Sequence, residues 1–305
     1  MASFHFVLMF GLSFALISCE GKIIPPPDGT VLTFLPGSSR NITWDFDDEK
    51  VASRTWTFTS SDGLRSGILG VIALDGKPQP QNGVLPRFNI IKPATLELNN
   101  VNHSYNGIYK FTLTVATESL ISNVVVFIAK KPTVTLNCSS HNITLNETDD
   151  FTCVCRGEGG NPPANVTWYK NNKRFGGTKK LNNSLTLSNI KRTANGTYKC
   201  EARSHTNDSF KDEKSFKLRV NFQPIIKSFK SDPDPPINGK EVTLRCESDG
   251  VPEPGYMIKF ENGSEASSTK TYYIPIMGSS YDGNYTCIAK NIKGNDSAIL
   301  YLTGQ

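Results

Sequence analysis

The side chains of this 305-residue chain that could do more than pack are four histidines, seven cysteines, one acidic run and a set of asparagines. His5, His103, His141 and His205 stand at no spacing that metal ligation uses. No serine sits in a Gly-flanked elbow that would present a nucleophile, and no Gly-rich phosphate loop occurs. Asp45, Asp47, Asp48 and Glu49 carry carboxylates of the kind calcium takes, but solvated acidic loops are far commoner than calcium sites. No catalytic residue, cofactor or metal site is therefore expected. The asparagines say more. Twelve stand in Asn-x-Ser/Thr acceptor triplets for N-linked sugar: Asn41, Asn102, Asn137, Asn142, Asn146, Asn165, Asn182, Asn195, Asn207, Asn262, Asn284 and Asn295.

The ends and the charge bound the compartment. Residues 1–19 hold an apolar run from Phe6 to Ile17 broken by Gly11 and Ser13, followed by Glu20-Gly21-Lys22, and this reads as a secretory signal peptide. The run lacks a preceding Lys or Arg. Leu16-Ile17-Ser18-Cys19 also fits a bacterial lipoprotein box, although twelve sugar acceptors favour a eukaryotic secretory route. Cleavage after Cys19 leaves Cys138, Cys153, Cys155, Cys200, Cys246 and Cys287, which can close three disulfides in any of fifteen connectivities and imply an oxidising compartment. Beyond the leader no apolar run reaches the ~20 residues that span a bilayer, so the expected location is extracellular, secreted or as a cell-surface ectodomain. The net charge of +5 is spread among interspersed acids, as in Phe210-Lys211-Asp212-Glu213-Lys214, which argues against nucleic acid and leaves a glycan as a possible partner.

Period-two alternation then supplies the elements. Asn165-Val166-Thr167-Trp168-Tyr169-Lys170 alternates as a strand, Phe151, Cys153 and Cys155 share one strand face, and Leu185 and Leu187 share another. Cys155, Trp168 and the ending Gly196-Thr197-Tyr198-Lys199-Cys200 together resemble an immunoglobulin sandwich. There a disulfide joins strand B to strand F, the strand C indole packs on the sulfurs, and a Tyr two residues before the second Cys makes a corner. The resemblance implies an all-β chain of three tandem immunoglobulin-like sandwiches: domain 1 over residues 22–129, domain 2 over 130–220 and domain 3 over 221–303. Short proline-bearing junctions, Ala129-Lys130-Lys131-Pro132 and Val220-Asn221-Phe222-Gln223-Pro224, predict an extended rod.

The template assigns roles residue by residue. It pairs Cys155 with Cys200 and Cys246 with Cys287 and leaves Cys138, on strand A, for Cys153. Trp168 lies 13 residues after Cys155 and 15 after Cys153, and the nearest matching gap, twelve from Trp44 to Trp56, favours Cys155 as the partner of Cys200. In domain 1, Trp44 takes the place of the first Cys, Trp56 is the strand C indole, Tyr109 makes the corner and Phe111 replaces the second Cys, so an aromatic pair stands in for the disulfide. The 67 residues from Trp44 to Phe111 imply a variable-type sandwich with added C′ and C″ strands, against intermediate or constant types for the other two. In domain 3, Ile258 fills the indole position and Tyr285 makes the corner. The acidic residue that family members carry six positions before the second Cys is replaced by Tyr105, Ala194 and Tyr281. Asp75 to Gly83 reads as an exposed loop, and with Ser60 to Arg65 offers polar surface for recognition.

Seven of the twelve sugar acceptors, Asn137 to Asn207, fall in domain 2 and only Asn41 and Asn102 in domain 1. Domain 1 is thus expected to be the barest surface and to bind a partner. The resemblance to cell-adhesion ectodomains, such as those of the neural cell adhesion molecule type, implies a non-enzymatic recognition or adhesion protein that binds a like or unlike protein at the cell surface. Two other readings are a structural matrix protein of tandem modules and the ligand-binding part of a receptor enzyme that continues past Gln305.

Overall fold

The computed structural model describes residues 23, 26–47, 51–116, 118–138 and 141–305, so the leader, Cys19, His5, Asp48 and Glu49 lie outside the described residues. The described chain is built of β-strands and four one-turn 3-10 helices, and divides into two units, residues 1–130 and 131–305. In the first unit the strands are β1 (Thr30–Phe34), β2 (Arg40–Thr43), β3 (Val51–Ser60), β4 (Ser66–Ile72), β5 (Pro78–Pro80), β6 (Phe88–Ile91), β7 (Thr95–Leu98), β8 (Gly107–Val115) and β9 (Ser119–Ile128). They form a six-stranded sheet in the order β1-β9-β8-β3-β4-β5 and a three-stranded sheet β2-β7-β6. The turn-rich stretch from Asp75 to Gly83 is not wholly loop, because β5 lies within it and pairs with β4. Its prolines hid the strand, and they are tolerated because β5 is the edge of the sheet, where a missing N–H costs no ladder bond.

Between the two sheets the core is aromatic. Trp44 stacks on Phe111 with ring centroids 5.1 Å apart and 22° between planes, and Trp56 lies 5.2 Å from the same ring. All three rings are shut off from solvent. The Trp44 indole N–H donates to Ser122 Oγ (3.1 Å), which in turn donates to the Pro26 carbonyl (2.8 Å), so the position usually held by a cysteine sulfur is filled by an indole whose one polar atom is satisfied. Tyr105, standing where an acid is usual, holds Arg87 through its backbone: its hydroxyl accepts from the Arg87 N–H and donates to the Arg87 carbonyl, both at 3.0 Å. Gly107 opens β8 at φ +157°, and a Cβ there would lie 2.2 Å from the Thr59 carbonyl, which is why the strand must begin on glycine.

The second unit holds two further sandwiches. Its strands are β10 (Thr133–Leu136), β11 (Asn142–Asn146), β12 (Phe151–Glu158), β13 (Asn165–Lys170), β14 (Lys173–Lys180), β15 (Asn182–Leu187), β16 (Gly196–Arg203), β17 (Lys211–Asp232), β18 (Val242–Val251), β19 (Gly255–Phe260), β20 (Glu265–Ser267), β21 (Thr271–Ile274), β22 (Gly283–Asn291) and β23 (Gly294–Leu302). Sheets β10-β12-β15 and β14-β13-β16-β17 enclose a core of Cys155, Cys200, Trp168, Tyr198 and Phe216. The 22-residue β17 runs on to pair with β18, which with β21 faces the sheet β20-β19-β22-β23 around Cys246, Cys287, Ile258 and Tyr285. Midway along β17, Phe222 is buried beneath the Arg192 guanidinium, 4.0 Å from the ring centroid, and Arg192 is held in place by Glu147 at 3.1 Å.

Three disulfides are closed, Cys138–Cys153, Cys155–Cys200 and Cys246–Cys287, with Cα separations of 5.3, 6.5 and 6.4 Å. Cys138 falls two residues past β10 and not on the strand itself. One register recurs in all three sandwiches: Trp56 lies directly across from Phe111, Trp168 from Cys200 and Ile258 from Cys287. The corner recurs too. The hydroxyls of Tyr109, Tyr198 and Tyr285 donate to the carbonyls of Tyr105, Ala194 and Tyr281. Burial favours the neutral phenol, raising Tyr109 and Tyr198 above their ordinary value and pushing Tyr285 up to about 12.

Two predictions follow from this core. Phe111→Ala removes the ring on which both indoles rest, and should cost the first sandwich ~3–5 kcal/mol in urea unfolding. The folded state raises the Tyr285 pKa, so the stability this group confers is intact below the ordinary tyrosine pKa of ~10 and is lost as pH rises through about 12. Alkaline unfolding of the wild-type chain should show that limb in domain 3, and Tyr285→Phe should flatten it.

Candidate recognition surface

The two faces of domain 1 differ in what they offer a partner. On the six-stranded sheet, alternation turns one residue in two away from the core, and the registers assemble these into rows across the strands. Val71, Thr55, Thr112 and Ile121 form one row; Ile68, Thr57, Lys110 and Asn123 form the next; Ser66, Thr59, Ile108, Val125 and Val31 form the third. Lys110 is the one ionisable side chain in them. Val31, Ile68, Ile108 and Ile121 are each more than two-fifths exposed. In the third row the hydroxyls of Thr59 and Ser66 pair at 2.9 Å. At the margin, Asp28 accepts from the backbone N–H and side-chain amide of Asn123 at 2.8 and 2.9 Å, which holds its carboxyl below the usual range.

Such a face can be covered cheaply. Burying apolar surface gains ~25 cal/mol per Å², whereas each unpaired charge taken out of water would cost several kcal/mol. Six strands spaced ~4.8 Å apart make it roughly 24 Å wide, the scale of a standard protein interface. The equivalent sheet of domain 2 is charged instead, with Lys199 on Glu213 at 3.2 Å and Arg203 on Glu201 and Asp208 at 3.1 and 2.8 Å.

Sugar acceptors divide the faces in the same way. Asn41 lies on β2 of the opposite sheet, paired with Glu97, whose carboxyl is held low by the amides of Asn89 and Asn99. Asn102 caps the 3-10 helix His103–Tyr105, its Oδ1 accepting from Ser104 N at 2.8 Å. Neither is on a strand of the six-stranded sheet. In the corresponding sheets of domains 2 and 3, β13 carries Asn165, β11 carries Asn142 and Asn146, and β22 and β23 carry Asn284 and Asn295. Asn137 follows β10, Asn182 opens β15, and Asn195, Asn207 and Asn262 lie in connections. All twelve are exposed except Asn146, which is half-buried.

The loop from Ser60 to Arg65 is tied internally. Asp62 Oδ1 accepts from Ser60 Oγ and Leu64 N, and Arg65 donates to the Ser104 carbonyl at 2.7 Å, so these polar groups are already engaged. Asp45 Oδ1 accepts from Phe46 N at 3.0 Å. Among the described residues no three His, Cys, Asp or Glu side chains are placed to hold a metal ion, and no helix is long and apolar enough to cross a membrane. The strand rows of domain 1 were not singled out from sequence. Their signal was there, in Thr55-x-Thr57-x-Thr59 and in Ile108-x-Lys110-x-Thr112 beside the core residues they alternate with.

Fold, corner tyrosines and cysteine pairs define the class. A family profile described as the immunoglobulin domain matches residues 131–204 and 223–291, and the chain is a member of the immunoglobulin superfamily. It is 30% identical over 234 residues to the limbic system-associated membrane protein of Gallus gallus, a match covering 71% of this chain and 66% of that protein. It is 29% identical over 231 residues to neural cell adhesion molecule 1 of Gallus gallus, covering 68% of this chain and 20% of that protein. The chain spans about two thirds of the length of the first of these relatives and a fifth of the second. Among solved structures, one of Dpr2 Ig1-Ig2 in complex with DIP-Theta Ig1-Ig3 is similar in fold, with a TM-score of 0.57 and 17% identity over 93% of this chain and 99% of that one.

Because the outward rows do not build the core, Ile121→Glu and Ile68→Glu should each change stability in urea by less than ~0.5 kcal/mol. A larger loss would place these side chains in the packing.

Proposed function

We propose that this chain is an extracellular recognition protein that binds a protein partner through the outward face of the domain 1 six-stranded sheet. One observation carries the reading: that face is apolar and threonine-rich, holds a single charge and bears no strand-borne sugar acceptor, while the corresponding sheets of domains 2 and 3 bear several. Three disulfides and twelve acceptor triplets support a location outside the cell or on its surface. The likeness to a neural cell adhesion molecule supports binding as the activity. A largely apolar face with one charge fits a partner surface of the same character, so a second copy of the chain is the first partner to test.

Beads coated with glycosylated residues 22–305 should clump if binding is between like chains, and Ile121→Glu should abolish the clumping. Without clumping, the soluble chain should bind cells that display an unlike partner, and the same substitution should weaken that binding at least tenfold. Binding that survives Ile121→Glu unchanged would contradict the proposal.

A further inference from the structure

Domain 3 leaves large apolar side chains in water on the outward face of its four-stranded sheet. On β23, Ile299 is 70% and Tyr301 65% exposed. Met257 and Ile288 stand side by side on the neighbouring strands of the same sheet. Register across β22 and β23 sets Tyr301 directly opposite Asn284 and Ile299 directly opposite Thr286. Those two β22 residues are the first and third of the acceptor triplet Asn284-Tyr285-Thr286. Directly opposed side chains on one face of an antiparallel pair have Cβ atoms ~5 Å apart, within reach of the first sugar on an asparagine.

No other strand-borne acceptor has such a neighbour. Asn41 faces Glu97, Asn142 faces Lys217, Asn146 faces Asn221, Asn165 faces Lys180 and Arg203, Asn182 faces Arg156, and Asn295 faces Lys290. Asn284 alone among them looks across at an aromatic ring. Its backbone N–H is taken by Glu261 Oε2 at 3.2 Å, and the residue itself is exposed.

We propose that Asn284 carries an N-linked glycan whose innermost N-acetylglucosamine lies on the Tyr301 ring and reaches Ile299, so that sugar and not a protein partner covers this face. The donor is an oligosaccharide on a polyprenyl pyrophosphate. The Asn284 amide nitrogen bonds to its anomeric carbon, the anomeric C–O bond to the pyrophosphate breaks with its electron pair going to the departing oxygen, and the nitrogen gives up one proton. Nothing is oxidised or reduced. A pyranose has one face of C–H groups, and laying that face on a phenol ring removes apolar surface from water on both sides. The sugar thereby becomes part of the fold of β22 and β23.

The test uses the full chain secreted from mammalian cells. Glycopeptide mass mapping should find the Asn284 peptide modified. Hydrogen exchange over peptides spanning residues 283–302 should then speed up ~3–10-fold in Asn284→Gln and in Tyr301→Ser, with no further increase when the two are combined. Protein trimmed enzymatically to a single N-acetylglucosamine per site should keep wild-type protection there, which separates loss of the sugar from any folding defect of the variants. An unmodified Asn284 peptide would overturn the proposal. So would loss of protection on trimming, or an Asn284→Gln effect that is undiminished in the Y301S background.

Discussion

The structure depends on one point of contact repeated three times, where a residue of the F-position strand is pinned to the opposite sheet beneath the residue facing it across the adjacent strand. In domains 2 and 3 the pin is covalent: Cys200 and Cys287 reach across to Cys155 and Cys246. In domain 1 it is Phe111 stacked on Trp44. A disulfide of such loop length confers ~3–4 kcal/mol by restricting the unfolded chain, while burying two large rings confers a comparable amount through area and packing. The two solutions are therefore interchangeable in free energy but not in geometry. An indole needs a hydrogen-bond acceptor where a sulfur needs none, and Ser122, itself anchored to Pro26, supplies it.

Pinning the sheets from inside leaves their outer faces free to differ. With the core satisfied by inward residues, outward ones can change with little cost to stability, and the three sandwiches have used that freedom differently. Domain 1 presents rows of threonine, valine and isoleucine with the single charge of Lys110 on its larger sheet. Domain 2 presents ion pairs and is the most densely supplied with sugar acceptors. Domain 3 presents an apolar patch with an acceptor in its midst. The division of labour lies in which residues alternate outward, not in the fold they share.

The fold class was legible because its determinants are local and absolute. A cysteine, an indole and a corner tyrosine at fixed separations leave few architectures open, and the aromatic substitution in domain 1 was readable from the same spacing. What resisted reading was anything set by pairing across strands. The strand Pro78–Pro80 was hidden because proline signals a turn unless one knows that it lies at a sheet edge. The role of Tyr105 as a clasp on the Arg87 backbone required knowing which loop lies beside it. The candidate face suffered the same limit: each of its residues is an unremarkable threonine or isoleucine in the chain, and only the register of β3, β4, β8 and β9 gathers them into one surface. The opposition of Asn284 and Tyr301 is likewise invisible to a reading that sees them seventeen residues apart.

The most direct test places a sugar on the domain 1 face, where none is borne. Lys110→Asn creates an acceptor triplet with Thr112 in the central row of the domain 1 face, and mass mapping would verify that it is filled. This glycan should abolish binding, to beads or to cells, while the chain stays folded and while removal of the Asn41 acceptor on the opposite sheet leaves binding as it was. Binding that persists with a glycan at position 110 would contradict the claim that this face is the recognition surface.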